Sequence, residues 1–243
     1  MNSAPLRVGE TGVLKKFQKK SLTRLNSQLF VLAMGRTSDA NERLMDAALD
    51  LIWEESYGAI TIDDICKRAD VKKGSFYYFF SSKSELAVAA LERMWQEESK
   101  PKMDAIFSPS VEPLTRIRTY LASMYDFQAE IKQKHGKVLG CPVMSVGSET
   151  CTCVDEQAVG NKIRELFTRK RRYYESAIRD ALAEGSIEPG DAAEKAGAVA
   201  GLIEGILTQA RILNDPEVLR SLPDLAMRIL GAKSLAQTAT TKV

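Results

Sequence analysis

The sequence predicts an all-α protein, with an N-terminal three-helix helix-turn-helix domain and a larger helical body. Three observations carry this. The stretch from Thr61 to Leu86, TIDDICKRADVKKGSFYYFFSSKSEL, reads as a helix, a tight turn, a short basic and aromatic helix, and a newly capped helix start. Downstream, apolar residues recur at spacings of three and four over several long segments. No stretch shows the alternation or the hairpin turn signals of strands.

Taken in order, residues 1–35 carry Gly, Ser, Thr and Lys with no sustained apolar stripe. They are expected to be a disordered basic arm, or an upstream extension of the reading frame with Met34 as an alternative start. From Ser38 to Tyr57, Leu44, Ala48, Leu51, Ile52 and Trp53 follow helical spacing, and Gly58 is the stop. Thr61 caps the next helix, with Asp64 completing a capping box and Asp63 and Asp64 at the positive end of its dipole. Ile62, Ile65, Cys66 and Ala69 share one face and are expected core. Asp70-Val71-Lys72 is the turn, whose first residue calls for a left-handed backbone.

The second helix of the motif spans about Lys73 to Phe79. Phe76 and Phe79 or Phe80 turn inward, and Tyr77 and Tyr78 outward. Ser82 caps the following helix, with Glu85 returning to its amide, and Pro101 is expected to end that helix. The body then continues with helices over about Pro113–Lys134, Asp155–Glu184, Asp191–Leu213 and Pro216–Leu230. A Gly- and Cys-containing piece, KVLGCPVMSVGSETCTC, lies between the first two. The tail from Gly231 is polar and expected to fray.

The 243 residues, 44% apolar and 27% charged, suit a globular chain. No uninterrupted apolar run approaches the ~18 residues of a membrane span, and no secretory signal pattern is present. The expected compartment is the cytoplasm. The net charge of +2 is uneven. Residues 1–36 hold seven Lys and Arg against Glu10 alone, so they carry +6 and the remainder −4. The informative charge is local: Lys67, Arg68, Lys72, Lys73 and Lys83 against Asp70 place +4 within 17 residues. Such a patch on a helix-turn-helix is the footprint of phosphate contact, so double-stranded DNA is the expected partner.

Within the motif, Thr61 stands at a helix N-terminus, where hydroxyl and amides suit a phosphate, or act only as a cap. Lys72 and Lys73 open the short helix and suit guanine edges or phosphate. Gly74 and Ser75 are small enough to let that end approach closely. Gly197, Gly201 and Gly205 recur every four residues, which marks close approach to another helix, either in a second copy of the chain or within it. Cys66 is expected core. Cys141, Cys151 and Cys153 cluster near His135, but C-x9-C-x-C is not a zinc spacing, so no metal and no cofactor are expected. Nearby thiols can pair on oxidation, so Cys141, Cys151 and Cys153 form a possible thiol switch beside the plainer reading of buried thiols. Met103, Tyr125, Phe127, Cys141, Met144, Phe167 and Tyr174 are candidate pocket linings or plain core.

From Arg36 to about Leu91, and most specifically in VKKGSFYYFFSSKSEL, the chain resembles the DNA-binding domain of TetR-type transcriptional regulators. GCPVMSVGSE looks like the GC-led helix of one subgroup, some of whose members respond to reactive small molecules. The resemblance implies a homodimer on a pseudo-palindromic operator, with a body that binds a small-molecule inducer and dimerises. It implies that Tyr77 bonds a phosphate oxygen, that Tyr78 reaches phosphate or base, and that Lys83 matches a phosphate-binding lysine. The glycine-spaced helix fits the family's dimer face. Asp70 departs from the usual Gly, at a cost of ~1 kcal/mol. The expected domains are the arm 1–35, a DNA-binding domain 36–83, a ligand-binding and dimerisation domain 84–230, and a tail 231–243. The expected function is a non-enzymatic regulator, most simply a repressor. The alternatives are an architectural DNA-binding protein without inducer and a thiol redox enzyme. The latter lacks C-x-x-C and a second histidine.

Overall fold

Every regular element among residues 36–152 and 156–233, which the computed structural model describes, is helical. They are α1 (Arg36–Glu54), α2 (Ile62–Ala69), α3 (Lys73–Phe79), α4 (Lys83–Met94), a π-helical turn (Trp95–Ser99) and α5 (Lys100–Ile106). Then come α6 (Pro113–His135), α7 (Pro142–Thr150), α8 (Gln157–Ala183), α9 (Ala192–Leu213), a 3-10 turn (Pro216–Ser221) and α10 (Leu222–Leu230). The expected arm at 1–35 and Cys153 lie outside the described residues.

The caps do what the sequence expects, with one change. Thr61 accepts from the Asp64 amide at 3.2 Å, and the Asp64 carboxylate accepts from the Thr61 amide at 2.9 Å. Asp70 takes the left-handed backbone, φ +52°. Ser82 accepts from the Glu85 amide at 3.0 Å, but the Glu85 carboxylate takes the amide of Ser81 at 2.7 Å, one residue before the expected partner.

Pro101 does not end its helix. The chain stays helical from Lys83 to Ile106, and the π-helical turn immediately before the proline is where the expectation fails. The wider coil there accommodates the missing N–H and the ring's clash with the preceding turn. The piece after Gly136 contains a true helix, α7, started by Pro142. At the start of the expected tail, Gly231 caps α10 at φ +66° and the Lys233 amide donates to Ser186 at 2.9 Å, while residues 234–243 lie outside the described residues.

One apolar core runs from α1 through α4 into the body. Leu44, Ile52, Ile65, Phe76, Leu86 and Leu91 are buried in the same cluster as Val143 and Val146 of α7 and Val159, Ile163 and Leu166 of α8. The DNA-binding motif is thus packed directly on α7 and the first half of α8. The tightest crossing joins those two helices: a Cβ on Gly147 would lie 2.9 Å from Ile163, and one on Gly160 3.2 Å from Cys151. Of the two readings of Gly197, Gly201 and Gly205, close approach within the chain finds no partner: among the described residues nothing beyond the helix's own backbone lies within 4 Å of a Cβ built at any of those three.

Candidate functional site

Phe76 anchors α3. Its ring is fully buried and stands edge-on to Tyr77, 5.2 Å between centroids. With Phe76 and Phe80 inward, the rest of the short helix is presented to solvent: Lys72, Lys73, Gly74, Ser75, Tyr77 and Tyr78 are all exposed, Tyr78 by 76%. Phe79 is half-buried, so the inward role falls to Phe80. A Cβ on Gly74 would meet nothing within 4 Å. The face is therefore open, basic and aromatic, as the spacing predicts.

Two of the lysines already have partners. Lys73 pairs with Asp63 of α2 at 2.9 Å, and the carboxylate raises the lysine's pKa. Both groups are exposed, so the pair is weak and readily exchanged for another anion. Lys83 donates to the carbonyls of Tyr57 and Ile60, tying the start of α4 to the α1–α2 connection. Thr61 is exposed, and its hydroxyl donates to Asp64 at 2.6 Å. The sequence reading missed Arg43, which donates to the carbonyls of Ala69 and Asp70 at 2.8 and 3.0 Å and braces the motif's turn. An arginine on the polar side of α1 gave no signal of this.

The body candidates separate. Phe167 and Tyr174 line a cavity between α8 and α9, together with Lys170, Arg171, Ala200, Ile203 and Glu204. Its volume is about 10 Å³, room for roughly one water and far below the ~300–1,000 Å³ of drug-sized pockets. Cys141 approaches it, its thiol lying close enough to the Glu204 carboxyl for each to shift the other's pKa. Burial pushes that thiol's pKa up, away from the reactive thiolate. Tyr125, Phe127 and Met144 are elsewhere. Tyr125 donates to Glu217 at 2.8 Å under the guanidinium of Arg220, Phe127 stacks on Trp53, and Met144 is 43% exposed. Met103 is plain core. These four do not line this cavity, because helical spacing identifies an apolar side chain without saying which neighbour it meets.

The GC turn has a mechanical role. Gly140 has φ +73°, and Gln128 both donates to its carbonyl and accepts from its amide, each at 3.1 Å. Trp53 of α1 donates to the same carbonyl at 3.2 Å. Cys66 is core, as expected, and Cys151 is a half-buried thiol donating to Gly160. Among the described residues, no group of three or more His, Cys, Asp or Glu could hold a metal. By length and composition α9 could cross a membrane, although the sequence has no uninterrupted apolar run of that length. One third of it is buried, and Glu204 lies on it.

A helix-turn-helix with an exposed basic and aromatic recognition helix, fused to an all-helical body, defines a DNA-binding regulator. Comparison with known proteins agrees. Residues 44–90 match the family described as bacterial regulatory proteins, tetR family, and residues 113–224 match the tetracyclin repressor-like C-terminal domain. The chain is 30% identical over 117 residues to the transcriptional regulator AcuR of Cereibacter sphaeroides, covering 48% of this chain and 52% of that one. It is 28% identical over 115 residues to the transcriptional repressor NemR of Escherichia coli K12, covering 46% and 55%. These alignments span about half the length of each relative. The regulatory protein TetR from Rhodobacter sphaeroides superposes with a TM-score of 0.67 at 26% identity, over 78% of this chain and 98% of that one. The chain belongs to the TetR family of transcriptional regulators, DNA-binding proteins that are not enzymes.

Proposed function

We propose that this protein is a cytoplasmic repressor that binds a pseudo-palindromic operator as a homodimer and leaves it when a small molecule or reactive species binds the body. The observation that carries the reading is α3, where a run of exposed basic, small and aromatic residues stands on one fully buried phenylalanine. Thr61, Lys72, Lys73, Gly74, Ser75, Tyr77, Tyr78 and Lys83 are its DNA contacts. Phosphate contacts supply affinity and register, and a few base contacts supply specificity. Residues 36–83 form the DNA-binding domain and 84–230 the regulatory and dimerising body. A ligand that favours the DNA-incompetent conformation shifts the population off the operator.

The outward glycines of α9, with Ile212 and Leu213 exposed by 76% and 62%, support α9 as the dimer face. The helix otherwise presents a bare, partly apolar surface to water. Cys141, Cys151 and Cys153 remain the thiol-switch assignment, although the raised thiol of Cys141 favours a non-covalent inducer.

A footprint on DNA flanking the gene, at about 150 mM salt with and without a thiol oxidant, tests the reading. A two-fold-symmetric protected site is expected. Its loss on oxidation would assign the switch to the cysteines, and indifference to oxidant would leave a non-covalent inducer. Binding without any discrete site, there or across a random-sequence selection, would overturn the repressor in favour of an architectural role.

A further inference from the structure

A positive patch denser than that of the DNA-binding motif lies on the first half of α8. From Lys162 to Arg172 six basic residues stand against Glu165 alone, which places +5 within 11 residues. On the outer side of this stretch Arg164, Glu165, Thr168, Arg169 and Arg172 surround an open groove of about 390 Å³. That size falls within the ~300–1,000 Å³ of ligand sites, whose walls are mostly apolar. Here every lining side chain is polar or charged, so the groove suits a hydrophilic occupant.

Part of the charge around the groove is already answered. Glu92 and Glu165 accept from Lys162 at 3.0 and 2.6 Å, and both also accept from Arg169. Two guanidiniums are left over. Arg164 donates to the Asn161 side chain and to the Cys151 carbonyl, each at 2.8 Å. Both acceptors are neutral, so they hold the guanidinium in place without answering its charge, and three of its five N–H donors stay free. Arg172 is exposed and, among the described residues, makes no hydrogen bond or ion pair. The two arginines are about 12 Å apart along the helix at ~1.5 Å per residue, and Thr168 lies between them in the same groove.

We propose that this groove binds an oligophosphate chain, free or carried on a nucleotide, with Arg164 and Arg172 each forked onto a different phosphoryl group. The planar guanidinium matches a pair of phosphate oxygens, which a carbon skeleton does not offer. A single phosphate answers one arginine, whereas a chain of them answers both, so chain length is the feature recognised. The site is separate from α3 and does not depend on the repressor reading. It does touch the contacts that hold the motif to the body. Arg164 holds the carbonyl of Cys151 at the end of α7, and Arg169 ties α8 to Glu92 of α4. A bound anion would compete with Glu92 and Glu165 for Arg169.

The test is calorimetric titration of the full chain with tripolyphosphate, orthophosphate and ATP at about 150 mM salt, where loose surface attraction is screened. Tripolyphosphate is expected to bind, with orthophosphate at least tenfold weaker. ATP binding as well as tripolyphosphate assigns the chain to nucleotides, and ATP binding at least tenfold weaker assigns it to free oligophosphate; either result upholds the class. The double variant R164Q/R172Q removes both charges and keeps polar ends, and is expected to lose at least tenfold in tripolyphosphate affinity. If that variant does not fold, Arg172→Gln, at a side chain without partners, must lose at least threefold. The variant K72Q/K73Q discharges the start of the recognition helix and is expected to bind tripolyphosphate like the parent. Absence of heat from tripolyphosphate overturns the proposal, as does orthophosphate binding equally well. So does unchanged affinity in the folded arginine variants, or an equal loss in K72Q/K73Q. Operator binding by the same K72Q/K73Q protein reads the recognition helix separately, so the two assignments fail independently.

Discussion

The ammonium group of Lys83 sits 4.3 Å from the centre of the Tyr57 ring while donating to the Tyr57 and Ile60 carbonyls at 2.9 and 3.0 Å. The Tyr57 hydroxyl in turn donates to Glu156, just before α8, at 2.6 Å, and burial together with this carboxylate pushes its pKa far up. A lysine for which the family resemblance implies a phosphate contact is thus a brace between α4, the α1–α2 connection and the body. The two roles are compatible, because an ammonium has three donors and only two are used.

Lys83→Ala therefore tests both roles at once. Losing two charge-assisted hydrogen bonds and a cation–ring contact should cost about 2 kcal/mol of stability, measured by denaturant unfolding. If Lys83 also contacts a phosphate, binding weakens for every sequence and the logarithmic salt slope falls by about one. An unchanged slope would leave it a brace only.

Tyr77→Phe removes a hydroxyl from an exposed ring that packs on Phe76. Stability should stay within ~0.5 kcal/mol. Affinity should fall for all operator sequences alike, by about 1 kcal/mol, the worth of one hydrogen bond. Lys73→Ala should instead change the preference at one base pair, by ~1–3 kcal/mol. Competition binding across single-base operator variants separates the two outcomes.

Glu92 predicts an acid sensitivity. It accepts from Lys162 at 3.0 Å and from Arg169 at 2.9 and 3.0 Å, joining α4 to α8. Although burial opposes ionisation, the bonds from Gln96, Arg169 and Lys162 hold its pKa down to about 2. A depressed carboxylate stabilises the fold above its unfolded value near 4.3 and loses that contribution as pH falls towards 2. After screening, the contribution is about 1–2 kcal/mol. Glu92→Gln should thus be less stable than the parent at pH 7, with the difference shrinking below about pH 4 and nearly gone only once the pH is below the folded pKa of about 2, in paired melts across that range.

Gly201→Ala separates monomer from dimer. Among the described residues of one chain the added methyl meets nothing within 4 Å beyond its own helix, so helix propensity should favour it by up to ~1 kcal/mol. If α9 is the dimer face, the same methyl holds the partner away. Sedimentation should then show weaker self-association at raised or equal monomer stability. Unchanged association would move the dimer contact off this glycine.

Local chemistry was legible before any coordinates. Thr61 and Asp64, the left-handed Asp70, the inward Phe76 and the outward Tyr77 and Tyr78 each follow from interactions within a few residues. Capping, turn strain and helical spacing act over that range. Where a local signal failed, the backbone beside it had found another local solution. Pro101 did not stop its helix because a π turn accommodates the ring, and Glu85 found Ser81 rather than Ser82.

By itself, then, the sequence determined an all-α chain with a helix-turn-helix and an exposed recognition helix, because short-range periodicity and caps encode those. Tertiary structure alone decided which helices meet. It brought α7 and α8 together at Gly147 and Gly160, turned the α9 glycines outward, and set Lys170 and Glu204 across one cavity without contact. Residues 34 positions apart in the chain carry no mark of each other in composition or spacing; only the packing of α8 on α9 makes them neighbours.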